Sequence, residues 1–142
     1  MMKLFSEIKY SEYFKKEDII KVDKKIWGYE YWYSDEYRGT RKTLIIEPMK
    51  STSFQYHNYK KEVMFYKKGL GVLILSEKTI TLNETSTGLL ILPKVRHGIK
   101  NKSSELPLFI YEESSNSRQD DIVRLDRDSS PSEVLYIKGD EC

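Results

Sequence analysis

The sequence predicts an all-β fold, a sandwich or barrel, on three observations. Short apolar or alternating runs recur at close spacing from Trp27 onward. Gly, Pro, Asn, Ser or Lys separates them, as turns require. No helical periodicity of comparable strength lies between Trp27 and Glu113. The expected strands are Tyr29–Tyr33, Thr43–Ile46, Thr52–His57, Val63–Tyr66, Val72–Leu75, Thr79–Leu82, Gly88–Leu92 and Leu106–Glu112. The run His97–Asn101 opens a further strand.

The flanks are less regular. Residues 2–26 are mixed and charged, which suggests a short helix around Glu7–Phe14 and then an extended arm. Residues 27–128 form the barrel, and 129–142 a tail. Within the latter part, 113–120 is polar and loop-like, Asp121–Leu125 suits a last strand or turn, and 126–133 is irregular. Val134–Ile137 is apolar enough to dock on the body. No repeat of 20–50 residues is present.

Composition excludes several classes. The chain of 142 residues suits one domain with a core that needs no disulfides. Its 24 basic and 22 acidic side chains nearly balance, which argues against a nucleic-acid arm or a membrane-binding basic helix. Paired lysines such as Lys24-Lys25 and Lys60-Lys61 read as solvated faces. The single cysteine, Cys142, allows no internal disulfide. The start MMKLFSEIKY lacks a long apolar segment, so no signal peptide is expected. No run is long enough to span a membrane as a helix. The expected compartment is the cytoplasm.

Two histidines carry the functional signal. Gln55 and His57 lie two apart, so on a strand they face one side. Four residues later Glu62 heads the run VMFY, where period two places Glu62, Met64 and Tyr66 together. A carboxylate on an inward face is costly unless a cation or a donor meets it. Lys42 or Lys60 could do so, and so could a metal. Pro93 ends the run Leu89–Leu92, and His97 opens the next strand, which a barrel can set beside the first. Gln55, His57, Glu62 and His97 then make a plausible site for a divalent metal: Zn²⁺ first, with Fe²⁺, Mn²⁺, Co²⁺ or Ni²⁺ as alternatives.

These residues resemble the two motifs of the cupin superfamily, the double-stranded β-helix or jelly-roll barrel. The first, G-x5-H-x-H-x3,4-E-x6-G, appears as QYH-NYKK-E-VMFYKK-G, with Gln55 in place of the first histidine. The second, G-x5-P-x-G-x2-H-x3-N, appears as GLLILPKVRHGIKN, with Val95 for the second glycine and one residue fewer in the first spacer. More narrowly, the chain is similar to the cupin domain of type II mannose-6-phosphate isomerases, often fused to a mannose-1-phosphate guanylyltransferase. That family also uses Gln at the position of Gln55. KIWGYEYWY, KTLIIEPMKSTSFQYH and PLFIYEESSNSRQDDIVRLDRD resemble its flanking elements, so the likeness covers about residues 24–128. The chain departs at Tyr59 and Val63, where the family has histidines, and at Lys60, where it has arginine. The family's YGR ending is replaced by Asp128-Ser129-Ser130.

The resemblance implies a metal-dependent aldose–ketose isomerase acting on a phosphorylated or nucleotide-linked sugar. Lys42 and Arg124 occupy basic positions of its pattern and are the candidates for phosphate, with the carboxylates of Asp120 and Asp121 placed to orient the planar fork of Arg124. Glu112, at the inward end of LFIYE, is the candidate proton carrier. Tyr59 and Tyr66, with Tyr56, are candidates to stack on the sugar. A different class is a non-catalytic sugar- or sugar-nucleotide-binding cupin. A third, a metal-dependent oxygenase, usually keeps three nitrogen ligands, and Gln55 argues against it. A homodimer is the cupin habit, with residues 2–26 available to extend a partner's sheet.

Overall fold

The computed structural model describes residues 2–115, 121–126 and 132–140. Of the loop expected over 113–120, residues 113–115 continue a strand instead and the rest lies outside the described residues; of the irregular stretch 126–133, residues 132 and 133 open a strand and 127–131 lie outside the described residues, as does Cys142. Twelve strands are described: β1 (Lys21–Lys25), β2 (Gly28–Glu36), β3 (Gly39–Ile46), β4 (Gln55–His57), β5 (Lys61–Lys68), β6 (Gly71–Leu75), β7 (Thr79–Leu82), β8 (Leu89–Ile91), β9 (His97–Asn101), β10 (Leu108–Ser115), β11 (Ile122–Arg124) and β12 (Ser132–Ile137). They form a seven-stranded sheet, β12-β1-β2-β3-β10-β5-β8, and a five-stranded sheet, β11-β4-β9-β6-β7. All pairings are antiparallel. This is the all-β cupin fold that the sequence predicts.

Alternation along the strands divides the apolar residues between two cores. In β3, Leu44 and Ile46 face inward and Ile45 outward; in β10, Leu108 and Ile110 face inward and Phe109 outward. The inward set joins Trp27, Met64, Leu73, Leu82, Ile91 and Ile99 between the sheets. The outward set is covered by the N-terminal segment, through Phe5, Ile8 and Ile19. Tyr29, Tyr31 and Tyr136, three of the chain's 11 tyrosines, belong to this outer core. Phe14 stacks on Tyr31 at 4.1 Å between ring centroids, adding aromatic contact to area burial.

Three expectations are corrected. The helix around Glu7–Phe14 is absent; short 3-10 turns at Phe5–Glu7, Ser11–Tyr13 and Lys16–Asp18 replace it. Tyr10 sits between the first two at φ 74°, which breaks any continuous helix. The arm's strand does not await a partner's sheet, because β1 already lies between β12 and β2 of its own chain. The paired lysines are not all solvated: the side chains of Lys25 and Lys60 are only 16% and 11% exposed. Among the described residues, no helix is long and apolar enough to cross a membrane.

Gly28 fixes the entry into β2. A Cβ there would sit 1.8 Å from the Ile45 carbonyl oxygen, and its φ is +154°. Only glycine permits so close an approach of two backbones. The polar side chain of Asn101, fully buried, ties the end of β9 to the barrel. Its amide donates to the carbonyls of Ile46 and Leu106, each at 2.8 Å, and its oxygen accepts from Ser103 N–H.

Candidate metal centre

The two motif segments meet inside the barrel. β4 and β9 pair at Gln55 and His97, which brings the second histidine beside the first motif. The turn after Pro93 is tied to β4 as well, since Lys94 N–H donates to the His57 carbonyl at 2.6 Å. His57, Glu62 and His97 are all buried, and one potential ligand atom from each lies within 4.8 Å of the others. Glu62 Oε1 is 2.9 Å from His57 Nε2 and 3.4 Å from His97 Nε2. The histidine ring centroids are 6.0 Å apart.

The donor set fits a metal on its own chemistry. His97 Nδ1–H donates to the Val95 carbonyl at 2.9 Å, so in the neutral ring Nε2 carries a lone pair. That lone pair faces the carboxylate oxygen of Glu62, another acceptor, and Nε2 has no hydrogen-bond partner among the described residues. Two buried acceptors facing each other require a proton or a cation between them. Orientation of a ligating imidazole through its other nitrogen is also how metal sites fix their histidines. Burial works to raise the Glu62 carboxyl, but the neighbouring His57 and His97 rings and the charge of Lys60 outweigh it and hold it well below the usual range. Glu62 is therefore an anion ready to bind one.

Gln55 shares the inward side with His57, as alternation predicts, and both line the same cavity. Its Oε1 accepts a 2.8 Å hydrogen bond from Ser53 Oγ, which holds the amide in place. The three-residue cluster is formed without it.

The cavity has a volume of about 430 Å³. Lys42, Glu112 and Arg124 all line it. Lys42 lies on the inward face with Leu44 but is not a free cation. Its Nζ is 2.8 Å from Glu30 Oε2 and 4.0 Å from Glu112 Oε1, and it lies 4.5 Å from the Trp32 ring. Burial alone would lower its ammonium, but Glu30 and Glu112 outweigh that and hold it above the usual lysine range. Glu112 is pushed up to about 8, first by burial and then by the charge of Glu62; Lys42 and Lys60 oppose the rise. Arg124 pairs with Gln55 across β11 and β4 and forms no ion pair among the described residues.

Three further placements differ from expectation. Asp121 does not orient Arg124. Its carboxylate instead accepts from the backbone N–H groups of Asn58, Tyr59 and Lys60, at 2.8–3.1 Å. Asp120, the other carboxylate expected there, lies outside the described residues. Tyr59 is exposed, and Tyr66 donates its hydroxyl to the Gly69 carbonyl at 2.8 Å; neither lines the cavity. The groups missed are Asp23, Lys25, Glu30 and Trp32, all in the cavity wall. A signal existed for them: Asp23 and Glu30 alternate with Val22, Tyr29 and Tyr31, which marks a second, polar inward face.

Asp121 holds the connection between His57 and Glu62, so its loss acts on the metal without removing a ligand. Asp121→Ala should weaken metal affinity by about 10-fold, the lower end of what supporting groups typically contribute. Competition with a chromogenic chelator measures this, and unchanged affinity would show that the turn holds without its cap.

With twelve described strands in two sheets and a buried His–Glu–His cluster at their meeting, the chain is a cupin-fold protein with a candidate metal centre. No protein-family model matches it, and no curated protein sequence does. Solved structures do match. A cupin 2 domain-containing protein from Halorhodospira halophila aligns at 19% identity with TM-score 0.56, covering 66% of this chain and 62% of that one. The capsular polysaccharide assembling protein CapF from Staphylococcus aureus aligns at 16% identity with TM-score 0.64, covering 76% and 34%. A candidate sugar phosphate isomerase from Acidithiobacillus ferrooxidans ATCC 23270 aligns at 17% identity with TM-score 0.54, covering 75% and 76%. The chain thus spans less than two thirds of the first two proteins. At these identities the likeness concerns the fold.

Proposed function

We propose that this chain is a metal-dependent isomerase of a phosphorylated sugar, of the mannose-6-phosphate isomerase kind. The observation that carries this reading is a buried His57–Glu62–His97 cluster opening into a polar cavity that also holds Glu112 and Arg124. The isomerase-like motifs in the sequence support it. Among the fold neighbours, one is described as a candidate sugar phosphate isomerase and another as a capsular polysaccharide assembling protein.

A divalent ion, with zinc the first candidate, would be held by His57, Glu62 and His97, with Gln55 in reach, and would supply a Lewis acid for sugar oxygens. The chain's own groups supply the rest. Glu112 is the carboxyl that carries the proton between neighbouring carbons, since it lines the cavity and is not one of the cluster residues. Arg124 is the cation for phosphate, because it forms no ion pair among the described residues while Lys42 is neutralised by Glu30. The protein acts as a homodimer in the cytoplasm.

The engagement of Lys42 by Glu30 favours a second reading, a non-catalytic binder of a neutral or nucleotide-linked sugar. One experiment separates them. Protein loaded with zinc, manganese or cobalt is incubated with mannose 6-phosphate and followed by NMR for fructose 6-phosphate. Turnover that vanishes in Glu112→Gln establishes the isomerase reading. Calorimetric binding of mannose as tight as of mannose 6-phosphate, without turnover, establishes the binder.

A further inference from the structure

The cavity extends beyond the metal cluster toward β1, a strand that belongs to neither cupin motif. Lys21, Asp23 and Lys25 line it from β1, and Glu30 and Trp32 line it from β2. Lys21 pairs with Trp32 and Asp23 with Glu30, so Asp23 and Trp32 are diagonal neighbours on one face. Glu30 is satisfied, with Lys42 at 2.8 Å and Lys25 at 3.8 Å. Asp23 is not. It is 6% exposed, and its Oδ1 has no hydrogen-bond partner among the described residues. The cation nearest to it, Lys21 Nζ, stands 3.8 Å from Oδ2, beyond hydrogen-bond range. Trp32 Nε1–H is buried and equally without a partner. Burial raises the Asp23 carboxyl, and Lys21 only partly offsets it.

A buried acceptor and a buried donor, side by side and both unsatisfied, destabilise a fold unless something else meets them. They line a cavity large enough for a small polar molecule. We infer that Asp23 and Trp32 form a hydroxyl-recognition pair: Asp23 Oδ1 accepts from one sugar hydroxyl, and Trp32 Nε1–H donates to a neighbouring oxygen. The inference deepens the sugar reading above and rests on it. It also assigns the ends of the ligand. Lys21 is matched at the β1 end by Asp23 and Asp35, and Lys25 by Glu30, so that end offers no surplus cation for phosphate: it takes the uncharged polyhydroxyl portion, and the anionic end lies toward Arg124. Selectivity arises because a site built to bond hydroxyls leaves its own buried groups unpaired when a hydroxyl is missing.

The test uses the full metal-loaded chain and three probes: mannose, mannose 6-phosphate and fructose 6-phosphate. Asp23→Asn and Trp32→Phe should each weaken sugar binding by at least about 10-fold in calorimetry, the loss expected for one buried hydrogen bond to a charged or well-placed group. Metal content should stay at the wild-type level. Asp23→Asn should melt at or above the wild-type temperature without sugar, because a buried carboxylate with an unsatisfied oxygen and only a loose ion pair is removed. A lower melting temperature, or failure to fold, would mean that Asp23 is structural and would overturn its assignment; Trp32→Phe then decides the remaining half. Wild-type binding with both variants unchanged overturns the pair alone. If wild type binds none of the three probes, the sugar reading falls and takes this inference with it.

Discussion

Metal-loaded preparations of His57→Ala and His97→Ala should fail to retain a stoichiometric divalent ion, whereas Tyr59→Ala should retain it. Elemental analysis after exhaustive buffer exchange reads this directly. The two histidines converge on Glu62, so each loss removes one of three donors. Losing a donor should exceed the roughly 10–100-fold that the loss of an outer supporting group costs. Tyr59 stands outside, exposed and away from the cavity. Removing its ring leaves the backbone N–H bonded to Asp121 and the turn intact. The histidine variants should fold, because each deletes a buried imidazole whose own packing is bounded by polar groups. Equal metal loss in all three variants would refute the assignment of the cluster.

The cluster was legible in the sequence because its determinants are local. Period two places Gln55 beside His57, and the spacing to Glu62 crosses one short turn. His97 follows a proline that ends the preceding strand. Each of these is a statement about a few consecutive residues. The surroundings were not legible for the opposite reason. That Glu30 meets Lys42 depends on the register of β2 against β3, where Trp32 opposes Lys42 and Glu30 opposes Leu44. That Asp23 enters the cavity depends on β1 pairing with β2 rather than with a neighbouring molecule. Asp121 was read as a partner of Arg124 because the two lie close in sequence; its three backbone hydrogen bonds reach more than sixty positions back. The helix expected near Glu7–Phe14 failed because apolar residues there serve the outer core one turn at a time, not as one amphipathic face.

Glu30→Gln should destabilise the metal-free protein by about 3–5 kcal/mol at neutral pH, the cost of leaving one member of a buried ion pair without its counter-charge. Glu30 and Lys42 are both buried, and they meet at 2.8 Å within the cavity wall. The substitution keeps the shape and removes the charge, so Lys42 retains only the more distant Glu112, at 4.0 Å. The effect should depend on pH in a fixed direction. Burial would raise the Glu30 carboxyl, but Lys42, Lys25 and the hydrogen bond from Lys42 hold it below the usual 4.5. A carboxyl lowered on folding gives stability that is fully present above its unfolded value and is lost as pH falls through the folded one. The gap between wild type and Glu30→Gln should therefore be widest near neutrality, begin to narrow below about pH 4.5, where the unfolded chain takes up the proton, and close only as pH falls through the lower folded value. Lys42, raised on folding, acts at the other end: its contribution persists up to the ordinary lysine range and declines only in strong alkali. Urea titrations at several pH values, from acid to neutral, measure the gap. A gap that stays constant with pH would show that Glu30 acts through shape alone, and that Lys42 is held by something other than this ion pair.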